Sequence, residues 1–134
     1  MKFVVLICTD DALLNDLPAG RFDTRMRDCL AHAEEMRQEG RLLDSQMLES
    51  PATAKSVRIR NGRRMIVDGP FAETKELLAG FNVIEAESME EAVRMADEFP
   101  WAETGCIEVR PVKDVEAVRQ RVNGLASTAR AARD

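Results

Sequence analysis

The segment Phe3-Val4-Val5-Leu6-Ile7-Cys8 is apolar at every position, and it constrains the fold more than any other stretch. A strand with one wet face alternates apolar and polar residues. An unbroken run is what a strand needs when both of its faces are covered. Thr9-Asp10-Asp11 ends the run at once. The run is far shorter than the roughly 20 apolar residues of a membrane span, and it lacks the basic lead and cleavage site of a signal peptide. The expectation is a central sheet strand in a cytoplasmic protein with no membrane attachment. A chain of 134 residues suits one domain built around one core.

Downstream the period changes. Asp10 to Gly20 reads as a polar loop. Phe22, Met26, Cys29, Ala33 and Met36 then recur at spacings of four and three, which makes one apolar stripe along a helix. Gly40 follows as the usual residue just past a helix end. Arg41 to Glu49 reads as a strand, interrupted by Pro51. Val57–Arg60 and Arg63–Val67 flank Asn61-Gly62, the strongest short hairpin signal. Ala79 to Ala86 reads as another strand. Ser88-Met89-Glu90-Glu91 matches a capping box. It opens a helix with Met89, Ala92, Ala96 and Phe99 on one face, and Pro100 blocks its continuation. Gly105 to Arg110 is a last strand. Val112 to Val122 reads as a short helix, with a small, charged and mobile tail beyond Asn123-Gly124.

The order is β-α-β-(hairpin)-β-α-β. It implies an α+β protein of the ferredoxin-like, split βαβ type, with an inserted hairpin and two helices on one sheet face. The first strand belongs between the third and last core strands. No sequence remains to cover the second sheet face, so a second copy is expected there, giving a homodimer joined through its sheets.

The formal charge of -5 is a poor start for nucleic-acid binding. The excess of Lys and Arg after Val112 is too small for a basic arm. Cys8, Cys29 and Cys106 are odd in number and lack CxxC spacing, so reduced thiols fit better than disulfides or zinc. One histidine and scattered carboxylates form no metal set, and no residue pattern asks for a cofactor.

Candidate chemistry gathers in Asp68-Gly69-Pro70-Phe71-Ala72-Glu73-Thr74-Lys75. Turn geometry alone accounts for the first four residues: an acid that accepts backbone N–H bonds, a permissive Gly, a fixed Pro torsion and an anchoring ring. Glu73 and Lys75 are left over. The functional alternative is a rigid turn holding Asp68 or Glu73 as a proton acceptor at a cavity mouth, with Lys75 facing an anion. On the last strand, Ile107 and Val109 would face the helices. Cys106, Glu108 and Arg110 would then face the dimer. Glu108 and Arg110 become ligand-binding candidates there, with Asn82 or Asp44 from neighbouring strands. Cys8 and Cys106 fall on antiparallel neighbours and read as a reduced pair. His32 sits at the edge of its helix stripe and reads as a boundary residue.

Three motifs resemble a known family. Asp68-Gly69-Pro70-Phe71 with the following Ala72 to Glu76 and Ala79-Gly80-Phe81 is similar to the signature of the DGPF-domain branch of the YCII-related proteins. Leu48 to Ala54 with Val57-Arg58 resembles the preceding segment, and Glu108 to Val112 the closing strand. The resemblance spans residues 1 to 113 and leaves 114–134 as a C-terminal helix and tail. It implies a dimeric α/β barrel of two ferredoxin-like units. It implies little about a reaction, because most members of that branch have no assigned activity. Related YCII-type proteins carry a proposed His–Asp pair. Counting back from Gly40-Arg41-Leu42-Leu43 puts Cys29 at the histidine's position, with His32 one turn further on, so the pair does not carry over.

Three functions follow as expectations. The first is a small-molecule-binding protein on the barrel scaffold. The second is cofactor-free acid–base catalysis on a small anion, with Asp68 or Glu73 as base and Lys75 or Arg110 as anion partner. The third, resting on the resemblance alone, is a regulatory module for an extracytoplasmic-function sigma factor.

Overall fold

The computed structural model describes residues 1–70 and 74–133, with side chains described through Leu125. Strands β1 (Lys2–Asp10), β2 (Leu42–Met47), β5 (Glu76–Glu85) and β6 (Gly105–Pro111) form one antiparallel sheet in the order β2-β5-β1-β6. The apolar first strand is therefore central, between the third and fourth core strands, as its composition demands. Helices α2 (Arg21–Gln38) and α3 (Met89–Asp97) cross between β1 and β2 and between β5 and β6, which is the split βαβ connection.

The helix stripes close the core. Met36 and Met95 are buried with Phe3, Val5, Ile84, Ala92, Ala96 and Phe99, and Met26, Cys29 and Ala33 pack against them. The Ser88 hydroxyl accepts from the Glu91 N–H at 3.1 Å, and Glu91 reaches back to the Glu87 N–H at 3.0 Å. This capping box sits one residue wider than the ideal pattern. His32 clasps the two helices: Nε2 bonds the Met95 carbonyl at 3.0 Å, and Nδ1 lies 3.0 Å from Glu98.

Strands β3 (Lys55–Arg60) and β4 (Arg63–Asp68) make a separate two-stranded sheet. Asn61 and Gly62 both take positive φ, 53° and 75°, as a type I′ turn requires. Val57, Ile59 and Ile66 on this hairpin are exposed.

Two elements differ from the sequence reading. Within the expected polar loop, α1 (Asp11–Asn15) forms a short helix, because Asp10 caps it by accepting from the Ala12 N–H at 2.9 Å. The last helix, α4 (Val115–Arg133), runs through Asn123-Gly124 instead of stopping at Val122. One interior Gly costs only about 1 kcal/mol, and the alanine-rich sequence that follows favours helix.

Candidate functional site

The sheet's two faces can be read from strand register. Asn82 pairs with Val5, and Val5 with Val109, so all three share the helix side. Across the opposite side run two rows: Asp44, Val83, Val4, Arg110, and Gln46, Phe81, Leu6, Glu108. Each has apolar residues in the middle and polar residues at both edges.

A cavity of about 240 Å³ lies between α2 and the helix side of the sheet. Its walls are the α2 stripe (Phe22, Met26, Cys29), the sheet residues Ile7, Ser45 and Asn82, and Phe99 and Trp101 beyond α3. Among the described residues that line it, none carries a charge. Leu30, Met47 and Leu48 line it yet are exposed, which places its mouth between α2 and the edge strand β2.

Of the polar residues in the wall, Thr9, Ser45, Gln46 and Asn82, two bond each other. Asn82 is only 4 % exposed, and the Ser45 hydroxyl donates to its Oδ1 at 2.6 Å. Local sequence explains the pair: both residues sit at helix-facing positions of adjacent strands, directly opposite in register. The aromatic end is built by Phe22 against Trp101, with ring centres 5.6 Å apart and tilted by 46°. Burial pushes the Cys29 thiol up, against the opposing effect of its hydrogen bond with the Trp101 indole. Cys29 is thus a neutral, soft wall group and a poor nucleophile near neutral pH.

The residues singled out from sequence lie elsewhere. Asp68 ends β4 on the surface, and its carboxylate meets the Lys55 ammonium across the hairpin at 2.5 Å. The turn after it is held by the Gly69 N–H donating to the Ala54 carbonyl at 2.7 Å and the Ser56 hydroxyl donating to the Gly69 carbonyl at 2.8 Å. Glu73 lies outside the described residues. Lys75 is exposed just before β5. A second cleft, lined by Pro51, Pro70 and Leu78, borders this turn and shares Leu48 with the cavity. Glu108 and Arg110 lie on the open sheet side as expected, paired with each other at 3.6 Å. Asn82 does not join them, because strand alternation turns it to the helix side. Asp44 shares their side but sits at the opposite edge, three strand spacings or about 14 Å away.

Cys8 and Cys106 face each other in register on the open side. Burial raises the Cys8 thiol, with Cys106, Glu108 and Glu76 adding to the effect. The cavity residues Ser45 and Trp101 carried no signal in sequence reasoning. Cys29 did, as a member of the α2 stripe.

The sequence profile of the YCII-related domain matches residues 1–116. An uncharacterised protein of Rhizobium meliloti is 33% identical over 114 residues, covering 84% of this chain and 92% of that protein. Among solved structures, the chain is similar to 5-chloro-2-hydroxyhydroquinone dehydrochlorinase (TftG) of Burkholderia phenoliruptrix in complex with 2,5-dihydroxybenzoquinone. The TM-score is 0.44 at 15% identity, over 84% of this chain and 94% of that one.

Proposed function

Because the chain belongs to the YCII-related family, we propose that it binds a small organic molecule in the cavity between α2 and the sheet. One observation carries this reading: the buried Asn82 amide, hydrogen-bonded by Ser45 of the edge strand, set into a largely apolar, uncharged wall. Ligand sites have this composition, apolar surface for affinity and a few placed polar groups for orientation. The motif from Asp68 to Phe71 supports membership of the DGPF branch. The apolar centre and polar edges of the open sheet side support a homodimer through that side, forming the α/β barrel, since interfaces share this anatomy.

Trp101 is the only tryptophan of the chain and lines the cavity, so its fluorescence reports occupancy. A metabolite screen should give compounds that change Trp101 emission and raise the melting temperature, by about 2.7 kcal/mol of stability at a hundred times Kd. Cys29→Phe, which fills the cavity, should abolish both effects. Hits that survive Cys29→Phe, or a folded protein with no hits, would contradict the site. Acid–base chemistry at Asp68, Glu73, Lys75 or Arg110 is a separate proposal. The cavity reading expects Asp68→Asn to leave ligand binding unchanged.

A further inference from the structure

Resting on that cavity reading, we infer the ligand's class: a neutral molecule the size of one substituted ring, bearing an uncharged hydrogen-bond acceptor such as a carbonyl oxygen. Three observations meet in this assignment.

The first is the unspent donor. The Asn82 amide has an acceptor oxygen and two N–H donors. Ser45 occupies the oxygen at 2.6 Å. Among the described residues no protein acceptor takes the Nδ2 hydrogens, yet Nδ2 is not sealed away from accessible space. Asn82 lines the cavity, so those donors are available to what enters it. A buried donor left unpaired is costly, and a ligand acceptor relieves that cost.

The second is charge. Without a charged group in the described wall, an anion or cation would lose its hydration for nothing in return. The raised Cys29 thiol stays protonated and adds no charge.

The third is size and shape. An apolar cavity of about 150 Å³ holds a benzene ring. The space of about 240 Å³ therefore fits one ring with a substituent or two. The tilted Phe22–Trp101 pair offers aromatic surface against which a flat ring can pack.

The test uses four probes on the full-length chain, read by Trp101 fluorescence and calorimetry: acetophenone, ethylbenzene, benzoate and aniline. Acetophenone should bind about ten- to a hundred-fold more tightly than ethylbenzene, the loss expected for an unmatched buried donor. Benzoate and aniline should bind more weakly than acetophenone. In Asn82→Leu the preference of acetophenone over ethylbenzene should vanish while ethylbenzene still binds. Equal binding of acetophenone and ethylbenzene to the wild type would overturn the acceptor assignment and leave the cavity standing. Tightest binding of benzoate or aniline would overturn the class. If none of the probes bound, the acceptor class would be overturned. If the metabolite screen also gave no hits, the cavity reading would fall with it. Should Asn82→Leu not fold, the wild-type series decides alone, with Ser45→Ala as the second variant; it frees the Asn82 oxygen and should weaken the acetophenone preference.

Discussion

The two sides of the four-stranded sheet are built from the same apolar strands and end in different states. On the helix side Phe3, Val5 and Ile84 are sealed at 1%, 0% and 0% exposure, and the packing leaves a cavity beside the buried Asn82 and its partner Ser45. On the other side Val4, Leu6, Phe81 and Val83 stay half-buried, bounded by Asp44 and Gln46 at one edge and Glu108 and Arg110 at the other. The difference matches the two roles proposed for these faces. The helix side is intramolecular core with room for a ligand. The open side, apolar in the middle and polar at its edges, is the face of the proposed dimer contact.

Substitutions can break that comparison. Phe3→Ala on the helix side should cost about 3–5 kcal/mol, as large-to-small core changes do, measured by denaturant unfolding. A cost below 1 kcal/mol would mean that the helix side is not the main core. Leu6→Lys, three positions along and on the opposite side, should leave the fold intact but weaken the proposed dimer about a hundred-fold, because a charge would be buried unpaired at the centre of the interface. Sedimentation at several concentrations reads this directly, and an unchanged dimer would move the interface elsewhere.

A pH titration sharpens the comparison from the thiols. Cys29 and Cys8 both have raised thiols in the fold. Their contribution to stability is full below the ordinary thiol value of about 8.5 and is lost as pH rises through the folded value, because the unfolded chain ionises first. Stability should therefore fall in mildly alkaline solution, and Cys29→Ala should flatten part of that fall. The smallest effect is expected at the hairpin. Asp68→Asn removes an exposed ion pair with Lys55 and should cost no more than about 1 kcal/mol. Loss of the fold would give Asp68 a structural weight that its surface position does not suggest.

How much of this was legible in the sequence follows from what each signal encodes. The run from Phe3 to Cys8 gave the central strand, Asn61-Gly62 the hairpin, and Ser88 with Glu91 the start of α3, since each is a local rule. The pairing of Cys8 with Cys106 followed from strand order. The face of Asn82 did not. Its strand is apolar on both sides, with Phe81 and Val83 on one and Ile84 on the other, so alternation alone could not say which side Asn82 joins. Trp101 and Ser45 entered the site only through tertiary packing. The charged run at Asp68 drew notice because it is chemically dense, but it ends on the surface, whereas the cavity is lined by residues that look ordinary one at a time.

The central claim, ligand binding at the Asn82 side of the sheet, is tested most directly by a two-dimensional ¹⁵N–¹H NMR titration with acetophenone. It should shift the Asn82 side-chain amide and the Trp101 indole most strongly. Shifts concentrated instead at Leu6 and Val83 on the open side, or around Lys55 and Asp68, would contradict it.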